Sequence, residues 1–289
     1  MKTLMSGIAL GESPRWHAGR LWFADWGTRE IVAVDDAGAS EVMLRVPSVR
    51  GSGADPVTSG PFCFDWLPDG RLLVVSGRDG LLLRQEPDGS LATHADLGRL
   101  SGHPWNDIVV DARGNAYVGN AGFAFPTGDF APGILALVTP DGAVRPVADG
   151  VSFPNGVAVA RDGATLLLAE SYGNRITAFD VEPDGTLSGR RVWADLRGGF
   201  PDGICIDADD AVWYGDVANA RCVRVREGGQ VLQTIALDRG CFACMLGGAD
   251  GRTLYMLAAE WSGPAGMADG RRTGQLLCVA APAPHAGRP

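Results

Sequence analysis

The 289-residue chain holds no apolar run of about 20 residues, the length that crosses a bilayer as a helix. Met1 to Leu10 contains one lysine and no long apolar core, so neither a signal peptide nor a membrane span is expected. Positive charge is scarce: 25 Lys and Arg stand against 34 Asp and Glu, a formal charge of −9. A nucleic acid or an anionic membrane needs a basic face, so neither is an expected partner. Cysteine is scarce too. The six (63, 205, 222, 241, 244 and 278) lack the dense spacing of a secreted disulfide scaffold. Cys241 and Cys244 form one C-x-x-C without the second pair of a zinc site or a thioredoxin-like context, and packing is the expectation for them. A cytoplasmic location is expected. No Gly-x-Ser-x-Gly elbow is present, which argues against a serine hydrolase. No helical period is sustained over twelve residues.

Glycine, in contrast, is abundant: 41 residues, roughly twice the usual share. Many glycines precede β-rich runs. The phrases Gly19-Arg20-Leu21-Trp22-Phe23, Gly70-Arg71-Leu72-Leu73-Val74 and Gly114-Asn115-Ala116-Tyr117-Val118 recur as Gly163-Ala164-Thr165-Leu166-Leu167, Asp210-Ala211-Val212-Trp213-Tyr214 and Gly251-Arg252-Thr253-Leu254-Tyr255. Their spacings are 51, 44, 49, 47 and 41 residues. A second strand-like run follows each, and Pro-Asp-Gly turns at 68–70, 87–89, 140–142 and 183–185 punctuate them. Proline presets φ and glycine accepts positive φ, so these are turns for a physical reason. Six repeats of roughly 40–50 residues, each of about four strands, predict an all-β, six-bladed propeller. Residues 1–289 form one expected domain, with 280–289, rich in Pro, Ala and Gly, as a loose tail.

In a propeller the first strand of each blade lines a central channel, so equal register means equal height. Counting back about eight residues from the turn markers reaches Glu12, Phe62, Asn106 (beside Asp107), Asn155, Asp202 and Ala243. Four of these six positions offer a carboxylate or carboxamide. A buried acid cluster is costly unless it takes up protons or a cation. Carboxylates and an amide carbonyl are hard oxygen donors, suited to Ca²⁺, Mg²⁺ or Mn²⁺. Strand-start turn residues would account for any one of them, but less well for the shared register.

Gly-Glu-Ser-Pro at 11–14, Asn-Asp at 106–107, Pro-Asn-Gly at 154–156 and Pro-Asp-Gly at 201–203 resemble the senescence-marker-protein/gluconolactonase/regucalcin family, over residues 8 to 279. The resemblance implies a six-bladed propeller with one divalent cation on its axis: Ca²⁺ foremost, with Mg²⁺, Mn²⁺ or Zn²⁺ also open. It implies Glu12, Asn155 and Asp202 as metal ligands, Asn106 as a contact to substrate and metal-bound water, and Asp202 as proton donor and acceptor. Asp107 could equally move the proton or anchor its turn. Family members acting on sugar lactones carry an Arg where this chain has Pro104, and a Glu in a loop that reads Asn120-Ala121-Gly122-Phe123-Ala124-Phe125 here. The expected substrate-binding set is Asn106, His103, Trp105, Asn120 and Phe123, with Phe125 and Trp261 on the rim. The expected activity is a metal-dependent lactonase acting on a lactone or ester less polar than a sugar lactone, as a monomer or small homo-oligomer. An esterase, a lyase or isomerase on the same scaffold, and a non-enzymatic calcium-binding propeller stand as alternatives.

Overall fold

The computed structural model describes residues 1–47, 60–264 and 271–288. Its strands are β1 (Lys2–Ile8), β2 (Gly11–His17), β3 (Arg20–Asp25), β4 (Glu30–Val34), β5 (Ser40–Arg45), β6 (Phe62–Trp66), β7 (Leu72–Ser76), β8 (Leu81–Gln85), β9 (Leu91–Asp96), β10 (Trp105–Val110), β11 (Ala116–Asn120) and β12 (Gly133–Val138). They continue as β13 (Val144–Val151), β14 (Pro154–Val159), β15 (Thr165–Glu170), β16 (Arg175–Val181), β17 (Leu187–Asp195), β18 (Pro201–Ile206), β19 (Val212–Asp216), β20 (Arg221–Val225), β21 (Val231–Ala236), β22 (Gly240–Gly247), β23 (Thr253–Ala259) and β24 (Gly274–Ala280). These form six antiparallel four-stranded sheets, the blades of a propeller. Five are consecutive meanders from β2–β5 to β18–β21, and the sixth is β22, β23 and β24 closed by the N-terminal β1. Pairing the two chain ends in one sheet closes the ring without a free gap between first and last blade.

The innermost strands β2, β6, β10, β14, β18 and β22 pack on one another in that order around the axis. The second strand of a blade is covered on both faces, so β7 (Leu-Leu-Val-Val-Ser) is buried at every position. Outer strands have one wet face, and β21 alternates exposed with half-buried residues. The six turn markers join the first and second strands; all have positive φ, between 48° and 85° counting Ala18 beside Gly19, and Asp210 takes the place of glycine once at 56°. Among the described residues no helix is long and apolar enough to cross a membrane.

The tail differs from the expectation of a loose end. Residues 281–288 run past the C-terminal ends of β14 and β18 and the turn between β22 and β23. Val159 and Arg288 exchange N–H···O bonds of 2.6 and 2.8 Å, and the Ala286 N–H donates to Ile206 O at 3.0 Å. Ala281, Ala283 and Ala286 are buried. Small residues let this segment lie flat where the inner strands end, and its polar backbone finds partners there.

Candidate active site

The polar heads stand at the opposite ends of the inner strands. The strands β2, β10, β14 and β18 share a feature that explains why. Their pairing to the next strand slips between Glu12 and Arg15, between Trp105 and Ile108, between Pro154 and Val157, and between Pro201 and Ile204. Each slip is a β-bulge at the polar residue, and a bulge re-aims a side chain out of the pleat. Inner strand β6 carries no acid or amide at this level, and its register with β7 is unbroken. Ser13, next to Glu12, takes a left-handed φ of 51° at its bulge.

The glycines of the two Pro-x-Gly motifs serve close approach, not a turn. A Cβ on Gly156 would meet Asp202 O at 2.4 Å and Ile204 N at 2.6 Å. A Cβ on Gly203 would meet Ala243 Cβ at 2.5 Å. Both motifs lie inside strands β14 and β18, and the missing side chains let neighbouring inner strands converge where the polar heads project.

The heads floor a cavity of about 140 Å³ that opens at the end of the axis. Glu12, Asn106, Asn155, Ser171 and Asp202 supply its polar surface. Asn106 Nδ2 donates to Asn155 Oδ1 at 3.1 Å, and Asn155 Nδ2 donates to Ser171 Oγ at 3.3 Å. Ser171 Oγ donates in turn to Pro201 O at 2.6 Å, beside Asp202. The remaining wall is apolar and mostly aromatic, and the described lining includes no Lys, Arg or His.

Electrostatics make this floor unusual. Burial is the main reason that the Glu12 carboxyl is pushed up to about 8, and the nearby Asp107 adds to it. Asp202 is raised well above the carboxylate range by burial, then by Glu12 and Asp107, while Asn155 and the Gly203 N–H pull the other way. Asp202 Oδ1 is buried without a hydrogen-bond partner. Two buried acids with raised pKa values, Glu12 raising Asp202 and Asp202 carrying an orphaned oxygen, fit a bound cation, because a cation removes both the repulsion and the unmet acceptor. The donors are carboxylate and amide oxygens, the set that hard divalent cations prefer. Among the described residues no three His, Cys, Asp or Glu side chains cluster as ligands.

The sequence profile of the SMP-30/gluconolactonase/LRE-like region matches residues 10–260. The chain belongs to this family. Its relatives include a 6-deoxy-6-sulfogluconolactonase of Pseudomonas putida, 28% identical over 265 residues, which span 87% of this chain and 84% of that protein. A regucalcin of Xenopus laevis is 27% identical over 261 residues, 86% of this chain and 83% of that one. Among solved structures, a luciferin-regenerating enzyme superposes with a TM-score of 0.79 at 18% identity, covering 98% of this chain and 96% of that one, a likeness of fold.

Within this SMP-30/gluconolactonase/LRE-like chain, Glu12, Asn106, Asn155 and Asp202 meet at one cavity floor. Asp107 is not part of the wall. Its Oδ1 accepts from the Ile108 N–H at 2.9 Å and lies 3.4 Å from Arg15 Nη2. Burial raises its pKa, and Arg15 is the largest influence pulling it back down. Four expected substrate contacts are corrected. Trp105 is fully buried in the core. Asn120 is buried, its Nδ2 donating to His103 O at 2.8 Å and Pro104 O at 3.2 Å, so it fastens the loop before β10. His103 is exposed and outside the lining, and its carbonyl, not its ring, holds Asn120. Phe123 is buried behind Phe125 and Phe153, its ring centroid 6.0 and 5.7 Å from theirs. Phe125 and Trp261 do line the cavity. In blade six the pocket receives Phe242, at the bulge between Cys241 and Ala243, while Ala243 packs on Gly203.

Sequence reasoning missed Trp26, Phe153, Ser171, Tyr172, Phe200 and Phe242. Phe153 and Phe200 carried a signal, since each directly precedes a Pro-x-Gly motif. It also missed Arg15, which is buried below the floor. Glu170 and Asp216, acids near strand ends, cap their blades. Glu170 takes Arg175 at 2.8 Å and the Ser152 N–H at 2.8 Å, and Asp216 takes Arg221 at 2.8 Å and the Phe200 N–H at 3.0 Å. Cys205, Cys222, Cys241 and Cys244 are free thiols buried in one core cluster.

Proposed function

We propose that the protein is a divalent-cation-dependent hydrolase that opens a lactone less polar than a sugar lactone. The observation that carries this reading is the orphaned Asp202 Oδ1 beside Glu12 on the floor of an otherwise apolar cavity. Glu12, Asn155 and Asp202 would hold the cation, Ca²⁺ foremost. Bound there, it would supply Lewis acidity, polarising the substrate carbonyl and acidifying water.

The chain's own groups account for the rest. Asn106 Nδ2 is a donor for the carbonyl oxygen as negative charge develops on it. Asp202 accepts a proton from the attacking water and returns it to the departing ring oxygen. A C–O bond forms from water to the carbonyl carbon, the ring C–O bond breaks, and a hydroxy acid results. Asp107 is held by Arg15 outside the cavity, which favours Asp202 over Asp107 as the proton carrier. The similarity to a lactonase over most of both chains supports the reaction type. The apolar wall supports the lower polarity: each sugar hydroxyl buried there without a partner costs about 1–3 kcal/mol. A sulfonate, as in that relative's substrate name, would find no Lys, Arg or His in the described lining.

The test is a screen of γ-butyrolactone, alkyl-substituted lactones and glucono-1,5-lactone with Ca²⁺, Mg²⁺, Mn²⁺, Zn²⁺ or chelator. Turnover of the less polar lactones that stops on chelation is expected. Equal rates with and without chelator would sink the cation-dependent reading, and preference for glucono-1,5-lactone the polarity reading.

A further inference from the structure

Aromatic residues line the cavity mouth in five of the six blades, and most of them fall into two groups. Phe125 follows β11 in the third blade, and Phe153 and Tyr172 flank β14 and β15 in the fourth. Trp26 follows β3 in the first blade, and Phe242 and Trp261 belong to the sixth. In a ring of six blades the third and fourth lie diametrically across the axis from the sixth and first. Phe200, directly before β18 in the fifth blade, bridges the two groups on one flank, so the mouth is a slot with an aromatic wall on each of two opposite sides, joined by Phe200 and flanked by Pro61 of the second blade on the other side. Proline, valine and alanine side chains fill much of the remainder.

Both walls are built rigidly. Phe153 and Tyr172 stack with centroids 4.7 Å apart and planes at 14°, and Phe125 packs on Phe153 at 5.0 Å. Phe242 and Trp261 meet edge to face at 5.7 Å. The Trp26 indole N–H is tied to Phe62 O at 2.8 Å. Rings fixed by neighbours lose little freedom when a ligand enters. Every acid and amide of the lining is on the floor, where an ester group must sit to react.

We propose that the substrate is a neutral lactone or ester bearing one aromatic ring, held in the slot between the Phe125–Phe153–Tyr172 wall and the Trp26–Phe242–Trp261 wall while its ester group reaches the floor. This rests on the lactone-opening reading and names its substrate class. Aryl recognition is separable from plain hydrophobicity. Burial of apolar area favours a cyclohexyl group at least as much as a phenyl group. Ring quadrupoles favour phenyl, by an amount that reads as roughly a two- to tenfold preference per aromatic pair.

The experiment compares γ-phenyl-γ-butyrolactone, γ-cyclohexyl-γ-butyrolactone and glucono-1,5-lactone as substrates in the presence of Ca²⁺. In parallel, binding of γ-phenyl-γ-butyrolactam and its cyclohexyl counterpart, which are not hydrolysed, is followed by tryptophan fluorescence. The phenyl compounds are expected to win by about tenfold, in kcat/KM and in affinity. In Phe153→Leu and Trp261→Leu, each checked for folding by circular dichroism, that preference falls toward one. Equal affinity for the two lactams, or a phenyl preference untouched by both substitutions, overturns the slot. If no lactone is turned over but the phenyl lactam still binds preferentially, the slot stands and the lactone-opening reading fails.

Discussion

Arg15 and Asp107 meet beneath the cavity floor, Nη2 to Oδ1 at 3.4 Å, and the same nitrogen donates to Ile108 O at 2.5 Å. Arg15 Nε also lies 3.9 Å from Asp65 Oδ1. One buried guanidinium thus links the first blade to the second and third through two acids. Removing it leaves both carboxylates buried without their cation. Arg15→Met is expected to lower stability by about 3 kcal/mol or more in urea unfolding. A loss under about 1 kcal/mol would show that the pair contributes little to the fold.

The Glu12 and Asp202 shifts set a pH dependence. A carboxyl group raised from 4.5 to about 8 contributes stability fully present below 4.5 and lost as pH rises through about 8. Asp202, also raised, acts in the same direction. With chelator present, the melting temperature should therefore fall between pH 5 and 8.5. Ca²⁺ should raise it, by more at the alkaline end, because the ligands must be deprotonated to bind. A calcium-induced shift that shrinks with rising pH would contradict this assignment of the floor.

Asp202→Asn keeps the shape of the side chain and removes both charge and proton acceptor. Lactone turnover is expected to drop by about 10²–10⁴, with weaker Ca²⁺ binding by calorimetry. Asp107→Asn should weaken urea stability through the lost Arg15 pair and retain far more turnover. The reverse ranking would move the proton-carrying role to Asp107.

Gly156→Ala tests the close approach of the inner strands. Its Cβ would press on backbone atoms Asp202 O and Ile204 N at 2.4 and 2.6 Å, which cannot swing aside. A loss of about 2–3 kcal/mol is expected from the strain, with weaker cation binding because Asp202 shifts. Unchanged melting and calcium affinity would show that the strands yield freely.

Truncation after Ala280 removes the segment that pairs with Val159, Ile206 and Ala208. The lost backbone hydrogen bonds and buried alanines should cost on the order of 3 kcal/mol. An unaltered urea midpoint would restore the expectation of a loose end.

The repeat of turn and strand was legible in the linear chain because local rules produce it. Pro-Asp-Gly and single glycines demand particular φ values at particular places, and apolar runs demand burial. Six such phrases imply six blades, and Glu12, Asn106, Asn155 and Asp202 share a register that reads directly from their distance to the turns. What the tertiary structure alone decided lies where strands from different blades meet. Trp105 sits near the site in sequence but is buried behind it, because a strand sends successive side chains to opposite faces and a bulge reverses the count, and Phe123, in the loop after β11, is buried against Phe125 and Phe153. The aromatic lining of the mouth comes from five separate blades, and no local pattern links Trp26 to Phe242 or Phe153 to Tyr172. Arg15 joined Asp107 and Asp65 across 92 and 50 positions of chain, a pairing that only closure of the ring could create. Pro201-Asp202-Gly203 combines both kinds of information: its composition marks the motif, but the orphaned oxygen that points to a cation appears only once Glu12 is folded against it.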